Sequence, residues 1–97
     1  MTKLVRDRIP EIIENSGKSC NIRILGQDEY IERLEEKLGE ELAEYLESKD
    51  PEELADLLEV IDALIIATGH TKEAVLAIQA EKRAARGGFE KKILLEL

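Results

Sequence analysis

The chain predicts a mainly α fold: an antiparallel helical bundle of about four helices, with a small two-stranded sheet pairing residues near 21–25 with the C-terminal strand. Three observations predict it. Composition leans to Ala, Glu, Lys, Leu and Arg, which lose little on entering a helix. Apolar residues between 28 and 47 recur at i, i+3 and i+4, the spacing of one helix face. Gly, Pro and short polar residues gather at 16–18, 48–51, 69–71 and 87–88, where such helices would stop and start. The 97 residues make one helical domain, 1–97; 43% are hydrophobic and three are aromatic, so the core is one of Leu, Ile and Ala.

The first helix is expected over Arg6 to Asn15, with Asp7 as cap and Pro10 tolerable only in the first turn. Ser16-Gly17-Lys18 ends it. Asn21-Ile22-Arg23-Ile24-Leu25 alternates and is β-branched, which predicts a short strand. Its one available partner is Lys92-Ile93-Leu94-Leu95-Glu96-Leu97, so the two are paired across the domain. The second helix spans Asp28 to about Glu47, with Ile31, Leu34, Leu38, Leu42, Tyr45 and Leu46 on one face. Asp50 caps a third helix that opens on Pro51 and runs to Thr68, before Gly69. Thr71 caps a fourth, Lys72 to about Arg86, which Gly87-Gly88 breaks.

Charge and composition exclude several classes of function. A net charge of −8 opposes binding to a nucleic-acid polymer, since a phosphate backbone is repelled. The longest uncharged run, Ala63 to Thr71, is too short to span a bilayer, so no membrane partner is expected. The first ten residues carry charges where a secretory leader needs an apolar centre, and the single Cys20 suits a reducing compartment; a cytoplasmic location is expected.

Chemistry concentrates in the carboxylates. Pro51 to His70 holds five of them, Glu52, Glu53, Asp56, Glu59 and Asp62, with no Lys or Arg. Such a helix must leave its acids in water, protonate them or give them a cation. Rotation at 100° per residue places Glu41 inside the apolar sector of the second helix, between Leu38, Leu42 and Tyr45, with Glu44 on its rim and Glu40 further out. Glu53 and Asp56 border a smaller apolar stripe of Val60, Ala63 and Ala67. Residues at i and i+3 have Cβ atoms roughly 5–6 Å apart, so each pair can reach one ion. Two such pairs on antiparallel neighbours bring four carboxylates to one site. Two charges roughly 5 Å apart repel by about 3 kcal/mol at an effective dielectric of about 20, and a divalent cation would relieve this. Oxygen ligands alone favour Mg²⁺ or Mn²⁺, with Ca²⁺ as a further option, over zinc or di-iron. Either pair taken singly also fits a solvated helix face. Both on consecutive helices, one aimed into an apolar face, favour the cation.

These residues resemble a known pattern. Glu40-Glu41-x-x-Glu44 followed by Glu53-x-x-Asp56 is similar to the metal-binding signature of the MazG-like all-α nucleoside triphosphate pyrophosphohydrolases. Lys3-Leu4-Val5-Arg6-Asp7-Arg8-Ile9-Pro10 and Arg86-Gly87-Gly88-Phe89-Glu90-Lys91-Lys92-Ile93 resemble its small phosphoribosyl-ATP pyrophosphohydrolase-like branch. The resemblance implies Mg²⁺-dependent hydrolysis of a nucleoside triphosphate to a monophosphate and pyrophosphate. It also implies Glu41, Glu44, Glu53 and Asp56 as metal ligands and Glu40 as the extra acid that orients or deprotonates water; Glu40 and Glu41 are the catalytic candidates. Eight residues separate Glu44 from Glu53, fewer than the family's usual linker.

An acidic surface repels a triphosphate, so cations must come from elsewhere in the chain. Lys82, Arg83, Arg86, Lys91 and Lys92 supply five of the fourteen basic residues within eleven positions. The first four are the candidate phosphate clamp, which Arg6 and Arg8 either join or leave for Asp7 and Glu11. The same cluster also fits a helix end whose cations complement the macrodipole. Of the remaining residues, Glu59 is a candidate accessory ligand and Asp62 a structural acid. Tyr30, Tyr45 and Cys20 are expected in the core, Phe89 as an anchor for the last strand, and His70 on a surface turn. The apolar surface of the third helix, including Val60, Ala63, Ile66 and Ala67, leads to the expectation of a homodimer or a dimer of dimers. A non-catalytic helical dimer that binds nucleotide or divalent metal is the alternative.

Overall fold

The computed structural model describes residues 2–97. Four helices follow in order: α1 (Ile9–Asn15), α2 (Gln27–Ser48), α3 (Pro51–Ala67) and α4 (Lys72–Arg86). The framework is the α2–α3 hairpin, and its turn follows from local chemistry. Lys49 adopts a left-handed conformation at φ 59° and its amide donates to the Tyr45 carbonyl at 2.7 Å. The Asp50 carboxylate then accepts from the Glu52 amide at 2.9 Å, and Pro51 starts α3 where no N–H is needed. At the other end of the hairpin the Gln27 side-chain amide donates to the Ala67 carbonyl at 2.7 Å, which satisfies a last-turn acceptor of α3.

Gly69, at φ 86°, closes α3; its amide and that of His70 donate to the carbonyls of Ile66 and Ile65, each at 3.0 Å. The Thr71 hydroxyl accepts from the Ala74 amide at 3.1 Å and opens α4, as the sequence predicts. α4 packs lightly on α3 and makes no comparable contact with α2.

Packing is sparse. Among the described residues the buried ones are Leu34 and Glu41 on α2 and Val60 on α3. The radius of gyration is 17.4 Å, against about 13 Å for a compact domain of 100 residues. Leu42, Leu46, Leu54, Leu58, Ile66 and Ile78 stand exposed along the helices.

Three expectations fail. The two-stranded sheet is not formed: among the described residues there is no strand, and both segments meant to pair run without a ladder. Ile24 is 86% exposed and Ile93, Leu94 and Leu95 are exposed too, so alternation alone did not supply a partner for either segment. Phe89, 98% exposed, anchors nothing. α1 begins at Ile9 rather than Arg6, with Arg8 at its cap position and no side-chain cap from Asp7. Residues 3–8 are instead a strap whose Lys3 and Arg6 are drawn to carboxylates on α2 and α3. Tyr30, Tyr45 and Cys20 are half-buried, with the Cys20 thiol 3.9 Å from the Pro10 carbonyl. Among the described residues no helix is long and apolar enough to cross a membrane.

Candidate metal centre

Leu34 and Glu41 lie two helical turns apart on the face α2 turns to α3, and that geometry takes the Glu41 carboxyl inside with the leucine. Glu41 is 7% exposed. From the first two turns of α3, Glu53 and Asp56 meet it, so that one oxygen of each of the three lies within 4.8 Å of the others. Glu44, itself exposed, stands beside this trio, near enough for its charge to raise the proton affinity of Glu41 and Glu53. The hairpin therefore brings three of the four acids of the double motif together, with Glu44 exposed beside them.

This arrangement is electrostatically unsatisfied. Glu41 Oε2 and Glu53 Oε2 are buried without a donor. The nearest cation to Glu41 is the Lys37 ammonium, 3.6 Å from Oε1, which is an ion-pair distance but too long for a hydrogen bond. Glu53 is pushed up to about 7, first by removal of its carboxyl from water, then by Glu44, Glu41 and Asp56. Glu41 is raised for the same first reason, with Glu44 and Asp56 adding and Lys37 opposing. Such a set can hold a proton between acids or accept a divalent cation, and its oxygen-only donors fit Mg²⁺ or Mn²⁺.

Other nominated residues fall elsewhere. Glu40 points away from the trio to the strap, 2.9 Å from the Lys3 ammonium, and that contact holds its carboxyl below the usual range. Asp62 pairs with Lys72 at 3.3 Å, in keeping with a structural role. Glu59 is exposed on the rim of the site and His70 is exposed beyond the end of α3. The basic residues of α4 and the tail are not brought to the acids: Lys82, Arg83, Arg86 and Lys91 are all exposed, and Arg83 pairs with Glu90. None of the four lines the cleft described next.

That cleft, about 500 Å³, lies between the strap and the hairpin. Its size is that of a small-molecule site. Leu4 and Val5 of the strap and Ile9 at the start of α1 form one apolar side, Tyr30 and Leu34 the α2 wall, and Val60 and Ala63 the α3 wall. Glu41 and Asp56 open into it, beside Lys3, Arg6 and Lys37. Sequence reasoning left Arg6 between a phosphate clamp and local pairing with Asp7 or Glu11. Its guanidinium is in fact 2.6 Å from Asp56 Oδ1, fifty positions away. No local spacing announces such a contact. Arg8 does pair locally, 3.5 Å from Glu11.

Comparison with models of protein families finds no match. A protein of Mycolicibacterium smegmatis, described as uncharacterized, is 56% identical over 43 residues, a stretch that covers 44% of this chain and 44% of that protein's length. No solved structure matches.

Proposed function

We propose that the chain is a Mg²⁺-dependent nucleoside triphosphate pyrophosphohydrolase, converting a triphosphate and water to a monophosphate and pyrophosphate, with Mn²⁺ as a substitute. One observation carries the reading: Glu41, buried with an oxygen that lacks a donor, stands within 4.8 Å of Glu53 and Asp56 beside a cleft of ligand size. The MazG-like pattern of the same residues supports it. Glu41, Glu53 and Asp56, with Glu44 at their edge, would hold the ion. A divalent cation at such a site supplies charge neutralisation for phosphates and acidifies water.

The chain's own residues have separable roles. Lys3, Arg6 and Lys37 line the cleft and offset the charge of an anionic ligand. Glu41, buried at the cleft and facing Glu53 and Asp56, is the acid placed to orient the attacking water. Glu40, held by Lys3, acts at most by orienting the strap. Lys82, Arg83, Arg86 and Lys91 are exposed cations outside the cleft lining. House-cleaning of the nucleotide pool in the cytoplasm is the physiological setting this chemistry suits.

A panel of NTPs and dNTPs with Mg²⁺, read by pyrophosphate release, tests the activity. Turnover that survives Glu41→Ala and Asp56→Ala would remove the site.

Self-association as a homodimer, or a dimer of dimers, belongs to the same reading. Accessible surface is 8596 Å², against about 5,600 Å² for a folded chain of this mass. The excess exceeds what a standard interface takes from each partner, about 800 Å². A stable monomer in sedimentation at micromolar concentration would refute it. That surface also favours the second reading, a non-catalytic helical dimer that binds nucleotide or divalent metal. Calorimetric binding without hydrolysis across the panel would establish this alternative.

A further inference from the structure

We propose that Arg6 is a built-in competitor for the cation site and the residue that holds the phosphate of a metal-bound polyphosphate. The inference rests on the reading of Glu41, Glu53 and Asp56 as ligands. It begins with a conflict over one side chain. Asp56 is one corner of the acidic trio, yet its Oδ1 accepts a 2.6 Å hydrogen bond from the Arg6 guanidinium. Arg6 and a divalent ion therefore claim the same carboxylate.

Arg6 is suited to give way. It sits on the strap rather than on a helix, and its side chain is more than half exposed, so the cost of turning it is small. It also has somewhere to go. The strap forms one wall of the 500 Å³ cleft, so a guanidinium released from Asp56 remains within the same cavity. There its planar fork matches two oxygens of a phosphate, which neither Lys3 nor Lys37 can match as point charges. Lys3, tied to Glu40 at 2.9 Å, fastens the strap to α2 independently of Arg6. Cation binding and phosphate binding are thus coupled through Asp56: the ion frees the arginine, and the arginine then favours an anion that brings its own phosphates to the ion. The ligand class is a polyphosphate presented with a divalent cation. A bare anion would find Arg6 engaged.

The test is calorimetric and needs no turnover. Mn²⁺ is titrated alone into the full chain, and inorganic pyrophosphate is then titrated with Mn²⁺ saturating, for the unaltered chain, Arg6→Gln and Arg23→Gln. Arg23 carries the same charge, pairs with Glu29 and lies outside the cleft, so it controls for net charge. Arg6→Gln is expected to bind Mn²⁺ about two- to fivefold more tightly, the range of an exposed ion pair, and pyrophosphate about tenfold more weakly. Arg23→Gln should change neither. Opposite shifts from one substitution are what a merely structural arginine would not give. Unchanged or weaker Mn²⁺ binding by Arg6→Gln, unchanged pyrophosphate binding, or equal shifts in Arg23→Gln would each overturn the proposal while leaving the cation site standing. Absence of Mn²⁺ binding in all three chains would overturn both.

Discussion

The α2–α3 hairpin and the α4-plus-tail region carry opposite charges and treat them in opposite ways. The hairpin draws Glu41 and an oxygen of Glu53 out of water although neither has a donor there. The tail leaves Lys82, Arg83, Arg86 and Lys91 in solvent, where their charges are screened and cost little. Charge density alone does not mark a site; burying charge without a partner does. A small protein with so few buried residues would gain by placing a leucine where Glu41 stands. That a carboxylate stands there instead is the strongest sign that something binds it.

The contrast predicts unequal consequences of mutation and of added metal. The largest belongs to the hairpin: Glu41→Ala or Asp56→Ala should lower cation affinity more than about 100-fold, beyond the loss typical of a residue that only supports a ligand. Equilibrium dialysis with Mn²⁺ measures this. Next, a cation at about a hundred times its Kd should stabilise the fold by about 2.7 kcal/mol and raise Tm by about 10 °C or more. A melting curve that ignores Mg²⁺ and Mn²⁺ would place the hairpin's acids in the same class as the tail's bases.

pH acts on the hairpin with a definite sign. Glu53 titrates near 7 in the fold against an ordinary 4.5, and Glu41 is shifted in the same direction. Between those values the native chain holds more protons than the unfolded one. The stabilisation is complete below 4.5 and is lost as pH rises toward about 7. Denaturant titrations of the metal-free chain should follow that trend. Added cation should reverse it, because the deprotonated acids are the ligands and affinity rises with pH.

Effects in the second region are smaller. Thr71→Ala removes the α4 cap and should cost about 1 kcal/mol, read in urea. Lys82→Ala and Arg86→Ala should change stability by less than about 0.5 kcal/mol and leave Mn²⁺ affinity as it was. A loss of cation affinity in either would bring the tail into the site.

What the sequence revealed divides along the same line. Asp50, Pro51, Gly69 and Thr71 announce helix ends because capping is settled within four residues, and the structure has those ends in place. Glu41 was legible because one apolar face fixes its rotation. The strap was not: Arg6 to Asp56 and Lys3 to Glu40 join distant positions, and neither leaves a periodic trace. The expected sheet failed for a related reason. Alternation at 21–25 describes a strand's faces but not its partner, and strands need both.

One measurement bears most directly on the buried acid: calorimetric titration of Mn²⁺ into the unaltered chain and into Glu41→Gln, above the Glu53 midpoint of about 7. Glutamine keeps the shape and removes the charge. The unaltered chain should bind, while Glu41→Gln should lose that binding yet melt no lower without metal. Equal Mn²⁺ affinity in the two chains would contradict a cation site built on Glu41.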